Sequence, residues 1–585
     1  MISGMGACLF LWGLGWAEYL FQDLLAGSPP VHPAGEHPVA PASGTPFRPL
    51  MFVLLPAVGG LVSGMIARWL APEVAGPGTN AVIQAFHNSE GRIRARVPLL
   101  KTMASIVTLA TNGSAGRQGP LVQVGAGLGS LMGQLLRMPA SELRILLLAG
   151  ASGALAAVFG APMGSAIIVC ELLYREDMEG EALIPCTVSA IVAHIIHQLM
   201  YGAQPIFAIP EFHFVETLGE LGWFALLGIV CAPVGRLYVR TFFTVRDWFH
   251  RLGHIPGFMK PALGGLLTGV IGLFLPETLG IGYGWLQMAM LGKLALGTMA
   301  AAALLKILTT SLTVASGGSG GVFAPAIFIG GMLGGSLGNM GHALFPEQLK
   351  EPAAFVLVGM GGFFAGVAHT PIGSILLVCE MTRGYSLLVP LLIVATIHCL
   401  LNRKASIYES QVQNRFLSPA HQEELTVNVL RQVKVRDAIQ QATRPVILTE
   451  DMTFGAVRDV LLGCDGTDFP VVDSNGTLKG ILCFQRVRNV LMEDTLGELL
   501  VAGELADPPV WVEPDENLYS ALLKFMASGH EQIPVMERGA SGRLVGVLQH
   551  QDVIKAYHSR VSQHRESGAS HLHGSTRLPT QGGPK

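Results

Sequence analysis

The chain has 585 residues, of which 50% are hydrophobic and 14% are charged, and its net charge is −3. Soluble globular proteins carry about 25% charged residues, so this composition indicates a membrane protein. The near-neutral charge excludes the basic surface by which proteins bind nucleic acid. Mean hydropathy is +0.47. The apolar runs are concentrated in residues 1–402, whereas the composition from residue 403 onward is that of a soluble domain.

The N-terminal stretch MISGMGACLFLWGLGWAEYLFQDLL has no basic residue before its apolar run and carries Glu18 and Asp23 in its later part. This is not the pattern of a cleaved signal peptide, so we expect a short first membrane helix. Further long apolar runs follow along the chain. They predict a mainly α-helical, polytopic membrane domain over residues 1–415.

Two pairs of segments recur in the same order at nearly the same spacing. GSAGRQGP (113–120) matches GSGGVFAP (318–325), and APMGSAIIVCELL (161–173) matches TPIGSILLVCEMT (370–382). Two matches in register indicate an internal duplication. Duplicated halves are typical of membrane transporters and channels whose site lies where the repeats meet.

Each glycine-rich segment precedes an apolar segment, which predicts a helix that begins within the membrane. Irregular backbone at that depth is tolerated only where it lines a cavity or is buried in protein. The N-terminus of such a helix offers free N–H groups and a partial positive charge, which attract anions. The sequence therefore predicts an anion-conducting pathway at which two helix N-termini converge, one from each half.

At these residues the sequence resembles the CLC family of chloride channels and transporters. GPGTNAVIQAFH (76–87) stands where the family has GSGIP, GRQGP (116–120) stands where it has GREGP, and GGVFAP (320–325) matches the third motif. KASIYESQ supplies the pathway tyrosine as Tyr408. The resemblance covers residues 1–420. It implies a homodimer in which each subunit has its own pore, built from two inverted-repeat halves of tilted and broken helices.

The family's anion ligands carry over by position. The resemblance implies that the backbone amides of Val322 and Phe323 and the Tyr408 hydroxyl hold the central chloride. It also implies that the amides around Gln118 and Gly119 face the outer site. Backbone amides attract an anion through charge–dipole interaction and bind it less tightly than a fixed lysine would. The full set of anion-binding residues implied in this way is Gly78, Gln118, Gly119, Gly321, Val322, Phe323 and Tyr408.

Three departures from the family pattern bear on mechanism. Pro77 replaces the filter serine and brings neither a hydroxyl nor an N–H group, and a proline here resembles the nitrate-preferring members. The gating glutamate is Gln118, a neutral amide that takes up no proton. The inner proton glutamate of the exchangers, which follows Glu171, is Leu172. The resemblance with these departures implies a passive chloride channel that is uncoupled from protons.

Other charged residues lie in the apolar segments. Glu171 and Glu380 occupy corresponding positions in the repeat, and we expect them to satisfy buried donors rather than to carry ions or protons. We expect Arg117 to brace its loop or to supply a positive field rather than to contact the ion. Lys306 fits either role.

Residues 432–558 contain a second repeat. DFPVVDSNGTLKGILCFQRVRNVL (468–491) pairs with QIPVMERGASGRLVGVLQHQDVIKAY (532–557), and each has two β-rich runs, a turn and a helix. This pattern resembles a tandem pair of CBS domains, an α/β module that many CLC proteins carry in the cytosol. The predicted domains are a membrane domain at 1–415, CBS domains at 432–495 and 500–558, and a disordered tail at 559–585.

In CBS domains an aspartate after the last strand often holds a nucleotide ribose, and Asp552 fits this position in the second copy. In the first copy Arg486 stands there, and Cys483 replaces the usual hydroxyl residue. Adenine-nucleotide binding and a purely structural role in dimerisation both stay open. The eight cysteines have no paired spacing. The sequence therefore predicts no metal site, no disulfide framework and no other cofactor.

Two alternatives to the passive channel stay open. One is an exchanger of chloride or nitrate that takes protons by another route. The other is a nucleotide- or ionic-strength-sensing protein whose membrane part conducts little. No nucleophile–base pair points to an enzyme. The expected partners are small anions, a second copy of the chain and the lipid bilayer of the cell or inner membrane, with the CBS domains in the cytoplasm.

Overall fold

The chain divides into two compact units, Met1–Ala420 and His421–Lys585. The first unit is helical, and the second combines helices with short strands. The computed structural model describes residues 1–36, 38–208, 218–382, 384–421, 430–439, 445–464, 466–487, 500–537, 539 and 542–570.

The first unit contains two successive sets of helices. The first set is α1 (Ile2–Glu18), α2 (Pro49–Trp69), α3 (Gly78–Asn88), α4 (Val97–Ala110), α5 (Gln118–Leu135), α6 (Ala140–Phe159), α7 (Pro162–Glu171) and α8 (Leu183–Tyr201). The second set is α9 (Leu218–Arg251), α10 (Lys260–Phe274), α11 (Tyr283–Met290), α12 (Leu296–Thr310), α13 (Phe323–Leu344), α14 (Pro352–Ala368), α15 (Pro371–Thr382) and α16 (Leu388–Leu401). The sets correspond helix by helix, so the predicted duplication is confirmed. Short π-helical segments, Tyr19–Leu25 and Ser311–Ala315, extend α1 and α12.

The two halves contact each other through equivalent residues where α7 packs on α15. The carboxylate of Glu171, at the end of α7, accepts hydrogen bonds from the N–H groups of Ile372 (3.1 Å) and Gly373 (2.9 Å) in the first turn of α15. Glu380 of α15 accepts in return from two N–H groups in the first turn of α7, at 3.0 and 2.8 Å. Each carboxylate thus caps a helix of the opposite half. The expectation that this pair satisfies buried donors is confirmed, and the reciprocity reflects a pseudo-two-fold relation between the halves.

The helices of the first unit expose apolar side chains on their outer surface. Phe274 is 82% exposed, Leu199 is 82% exposed and Ile184 is 75% exposed. Such exposure suits lipid rather than water. Within the described residues, seven segments are long and apolar enough to cross a membrane, namely Pro49–Trp69, Ala140–Phe159, Gly180–Tyr201, Gly219–Arg251, Gly257–Phe274, Leu296–Ala315 and Phe323–Leu344. The protein is an integral membrane protein.

The second unit contains two small sheets. Strand β1 (Leu448–Thr449) pairs in parallel with β2 (Asp468–Val472), which pairs antiparallel with β3 (Leu478–Cys483). Strands β4 (Gln532–Met536) and β5 (Leu544–Gln549) form an antiparallel hairpin. The helices are α17 (Val435–Ala438), α18 (Phe454–Leu462), α19 (Phe484–Val487), α20 (Ala502–Leu505), α21 (Leu518–Ser528) and α22 (His550–Ser570).

The two hairpins of the second unit share one register. The β2–β3 pair shifts register between Val471 and Val472, and the β4–β5 pair shifts at the corresponding place, between Val535 and Met536. The inferred sequence repeat is therefore also a structural repeat. The disordered tail predicted at 559–585 needs correction in its first part, because α22 runs to Ser570, and residues 571–585 lie outside the described residues. Nine residues without proline or glycine follow His558, so nothing local ends the helix there.

Candidate functional site

Three helix N-termini meet inside the first unit. Helix α3 begins at Gly78, α5 begins at Gln118 and α13 begins at Phe323. The residue before each start makes no side-chain capping bond. The first N–H groups of a helix lack intrahelical partners, and the helix dipole adds partial positive charge there. The convergence of N-termini from both halves, expected from the glycine-rich segments, is confirmed.

Backbone hydrogen bonds join the three loops that precede these helices. Gly116 and Gly321 exchange both N–H···O bonds at 2.7 Å, and the Gly76 N–H donates to the Gly318 carbonyl at 3.1 Å. A Cβ on Gly321 would lie 2.7 Å from the Gly119 nitrogen, so only glycine allows this approach. One site assignment needs correction. The Gly321 amide, predicted to bind anion, donates to Gly116 and instead joins the two halves.

Gln118 is completely buried at the start of α5. Its Nε2 donates to the hydroxyl of Tyr283 at 2.8 Å, and its Oε1 has no hydrogen-bond partner within the part of the chain that the structure describes. Sequence analysis missed Tyr283, which begins α11. A signal existed, because PETLGIG (276–282), just before Tyr283, repeats PEVAGPG (72–78), just before α3.

Arg117 braces its loop, as expected, through a partner that sequence analysis missed. Its Nη2 forms an ion pair with Glu36, from the segment that joins α1 to α2. Its guanidinium lies 5.8 Å from the centre of the Tyr283 ring. Burial would raise the pKa of the Glu36 carboxyl, but the charge and hydrogen bond of Arg117, together with the nearby His32, hold it well below its usual range. Glu36 is therefore ionised across the physiological pH range.

Tyr408 lies close to α3. Its side chain is completely buried, and its hydroxyl lies near Thr79 but forms no hydrogen bond of normal geometry with any described residue. The N–H of Ser410 donates to Asn80 Oδ1 at 3.0 Å, which fastens the tyrosine segment to α3. Because a buried hydroxyl normally has a partner, this one is suited to donate to a ligand.

Val322 and Phe323 are buried at the start of α13, with exposures of 2% and 1%. The Val322 carbonyl accepts from the Tyr238 hydroxyl at 3.2 Å. The Phe323 ring lies 3.7 Å from that of Phe364, centre to centre. These contacts hold the backbone, so the orientation of the two amides does not depend on a mobile loop.

Two cavities adjoin this region. The smaller, of about 110 Å³, is lined by Asn112, Arg117 and Tyr283 among others. The larger, of about 880 Å³, reaches Pro77 and Glu409. Its charged lining residues are Glu73, Arg92, Arg94, Arg246, Lys260 and Glu409, of which Arg94 pairs with Glu73 and Arg246 pairs with Glu409.

Leu172 lies in the apolar core of the first unit. It is 3% exposed and packs within the main hydrophobic cluster of the first unit. Its carbonyl accepts from Gln411 Nε2 at 2.9 Å, so Leu172 contacts the segment after Tyr408 through its backbone rather than its side chain. The side chain has no group that binds or releases a proton.

Two buried lysines hold the loops before α3 and α11. Lys101 Nζ donates to the carbonyls of Val74 and Gly76, both at 2.9 Å. Lys306, 205 positions later in the sequence, donates to the Gly280 carbonyl at 2.7 Å. Lys306 is therefore a loop-binding residue, and Lys101 is its counterpart in the other half. Extending the repeat beyond the glycine-rich motifs would have found both.

In the second unit, Asp552 lies in the first turn of α22. Its Oδ2 accepts from the Gln549 N–H at 3.1 Å, so it caps its own helix. Arg486, the residue in the corresponding position of the first copy, belongs to α19, and Cys483 ends β3. The first copy thus lacks the carboxylate that the second has.

Each of the two units matches a known protein family. The model of the voltage-gated chloride channel family matches residues 59–403, and the CBS domain model matches residues 502–559. A ClcB-like chloride channel protein of Ralstonia nicotianae is 34% identical over 352 residues, which are 58% of this chain and 80% of that protein. The H(+)/Cl(−) exchange transporter ClcA of Citrobacter koseri is 31% identical over 351 residues, 59% of this chain and 74% of that protein.

Solved structures have the same fold. A slow cyanobacterial Cl⁻/H⁺ antiporter is 25% identical with a TM-score of 0.61, over 70% of this chain and 94% of that one. A eukaryotic CLC transporter, 19% identical with a TM-score of 0.53, covers 94% of this chain and 96% of that one. With a family match over more than half its length, this chain belongs to the CLC family of voltage-gated chloride channels and transporters, with a CBS domain in its second unit.

Proposed function

We propose that the protein is a passive chloride-conducting channel that does not couple anion movement to protons. The observation that carries this proposal is Gln118, a buried amide at the N-terminus of α5 where the family motif has a glutamate. A carboxylate at this point would compete with an anion for the same N–H groups and would leave the pathway when protonated. The amide is neutral at every physiological pH, so it neither competes as a charge nor carries a proton.

The proposed central anion position is bounded by the amides of Val322 and Phe323 and by the Tyr408 hydroxyl. Three uncapped helix N-termini support it with partial positive charge, and the buried hydroxyl offers a directional donor. The proposed outer position uses the amides of Gln118 and Gly119. Gly78 contributes the third N-terminus, where Pro77 offers no N–H.

Leu172 supports the uncoupled mechanism from a second location. An exchanger needs a route by which protons reach the anion pathway, and this position offers only an apolar side chain within the core. Glu36, near Gln118, does not replace the missing carboxylate, because its low pKa keeps it ionised.

The test is the reversal potential of currents carried by the full-length protein in liposomes. With a chloride gradient, the reversal potential is expected to equal the chloride equilibrium potential and to stay there when a pH gradient is imposed. Empty liposomes give the background proton leak. A reversal potential that moves steadily with the pH gradient would refute the proposal.

The second candidate is a proton-coupled exchanger of chloride or nitrate. The observation that favours it is the description of the relatives, since a 31% identical protein is an H(+)/Cl(−) exchange transporter and a 25% identical structure is a Cl⁻/H⁺ antiporter. Proton flux driven by a chloride gradient separates the candidates, because only an exchanger moves protons uphill. Repeating the measurement with nitrate tests the preference that Pro77 implies.

The proposed assembly is a homodimer with one pore in each chain and the second unit in the cytoplasm. Asp552 is the proposed ribose contact for an adenine nucleotide, through the carboxylate oxygen that does not bind Gln549. Calorimetry of the full-length protein with ATP, ADP and AMP tests this, with Asp552→Asn as the comparison. Absence of binding heat with all three nucleotides would leave the structural role in dimerisation.

A further inference from the structure

Three side chains of metal-binding types come together in the second unit. Asp468 begins β2, Cys483 ends β3 and His530 immediately precedes the loop into β4. One ligand atom from each lies within 4.8 Å of those of the other two. Asp468 and His530 are buried, with exposures of 4% and 6%, and Cys483 is half-buried. The cysteine spacing did not reveal this cluster, because the three residues lie far apart in the sequence.

The sheet register creates the cluster. Asp468 and Cys483 are directly paired across the β2–β3 hairpin. His530 Nδ1 lies 2.9 Å from Asp468 Oδ1, and Asp468 Oδ2 accepts from the N–H groups of Glu531 (2.9 Å) and Gln532 (3.3 Å). The carboxylate is thus fixed by the backbone and orients the imidazole. Groups held by strands and hydrogen bonds are positioned more accurately than groups on free loops.

We propose that Asp468, Cys483 and His530 form a site for a transition-metal ion of the Zn²⁺ type. Thiolate sulfur, imidazole nitrogen and carboxylate oxygen are the ligands that Zn²⁺ takes in proteins, and the thiolate disfavours Mg²⁺ and Ca²⁺. Three protein ligands leave a fourth tetrahedral position for water.

Metal binding changes the His530–Asp468 distance only slightly. Zn–N and Zn–O bonds of roughly 2.0–2.2 Å place two tetrahedral ligand atoms about 3.3 Å apart. Nδ1 of His530 and Oδ1 of Asp468 therefore separate by a few tenths of an ångström if both bind.

The site connects the two halves of the second unit's repeat. Asp468 and Cys483 belong to the first copy, and His530 belongs to the second. A bound ion therefore stabilises the arrangement in which the copies face each other, because it binds the folded unit and not separated copies.

The experiment uses metal-free, full-length protein in detergent with Co²⁺ as a spectroscopic probe. We expect about one equivalent of Co²⁺ to produce a thiolate-to-cobalt charge-transfer band and tetrahedral d–d bands, and Zn²⁺ to abolish both. Cys483→Ser removes the charge-transfer band. Cys464→Ser, a substitution of another half-buried cysteine in the same unit, leaves it unchanged. Histidines of the C-terminal tail do not contribute to this band, since residues 559–585 contain no cysteine.

A second measurement needs no variant. In the wild-type protein, Zn²⁺ is expected to slow alkylation of Cys483 at least tenfold, as quantified by mass spectrometry, while Cys464 reacts at its original rate. The proposal is overturned if no thiolate band forms, if the band survives Cys483→Ser, or if Zn²⁺ leaves Cys483 alkylation unchanged. The His530–Asp468 contact is then only a hydrogen bond that joins the repeats.

Discussion

Gln118 is the residue at which a single atom changes the expected behaviour of the pathway. In Gln118→Glu a carboxylate replaces the amide beside the α5 N-terminus, where its negative charge competes with chloride. Protonation removes that charge, so anion flux is expected to be high at low pH and to fall at least about tenfold as the pH rises from about 4 to 8, a range that spans ordinary and burial-raised carboxyl pKa values. Flux from liposomes at symmetric pH measures this.

The matched control for that variant is Gln134→Glu, which makes the same chemical change near the other end of α5. Gln134 lies at the surface and donates to the Ile93 carbonyl at 3.0 Å. Its variant is expected to keep the wild-type pH profile. If Gln118→Glu likewise shows constant flux over the whole range, Gln118 does not lie in the anion path.

Glu36 affects the electrostatic potential beside Gln118, because it forms an ion pair with the neighbouring Arg117. In Glu36→Gln the Arg117 guanidinium loses its ionic partner, and the potential at the adjoining cavity becomes more positive. Chloride flux is expected to rise roughly two- to fivefold at low ionic strength and to return toward the wild-type value at high salt, because screening removes the effect. The measurement is chloride flux against salt concentration.

Salt dependence separates this electrostatic effect from loss of structure. If Glu36 serves mainly to fasten the segment between α1 and α2, its variant loses flux equally at all salt concentrations. A uniform loss would therefore assign Glu36 a structural role. Because the Glu36 carboxyl is ionised at physiological pH, the wild-type flux is expected not to titrate through it.

The sequence predicted the residues whose roles depend on local chemistry. The helix N-termini at Gln118 and Phe323 follow from glycine and proline preceding apolar runs, which is a local pattern. Tyr283 and Glu36 were not predicted, because their contacts with Gln118 and Arg117 join segments that are far apart in the chain. The hydrogen bond from the Gly321 N–H to the Gly116 carbonyl was not predicted for the same reason. A motif identifies a helix start but not the chain that packs against it.

At the scale of elements, α7 and α15 provide a matched pair of substitutions. Glu171 is 4% exposed and accepts hydrogen bonds from two N–H groups of α15. Glu380 accepts the equivalent bonds from α7, but its side chain is only half-buried. Glu171→Gln is expected to destabilise the protein by about 1–3 kcal/mol, because an NH2 group replaces one accepting oxygen and leaves a buried N–H donor of α15 without a partner. Glu380→Gln is expected to cost less. Thermal unfolding in detergent compares the two.

The same pair tests the assignment of Glu171 as a structural residue. If Glu171 serves only as a cap, its variant unfolds at a lower temperature but retains the wild-type flux per folded molecule. A variant of unchanged stability that has lost transport would instead make Glu171 part of the conduction path. The duplication was visible in the sequence, but the exchange of caps between halves was not, since it depends on how the helices pack.

At the scale of the whole molecule, one chain contains every element of the proposed pathway. The N-termini of α3, α5 and α13 and the Tyr408 segment all belong to Met1–Ala420. We therefore expect each protomer of the proposed dimer to conduct independently. A pore on the dimer axis would instead require residues from both chains.

A linked dimer of one wild-type and one Gln118→Glu chain distinguishes these arrangements. At high pH, where the introduced carboxylate is charged, we expect about half the flux of the wild-type linked dimer, because one of two separate pores is closed. At low pH the two linked dimers are expected to conduct equally. A fall to the level of the doubly substituted dimer at high pH would place both Gln118 positions in one shared path and contradict a pore within each chain.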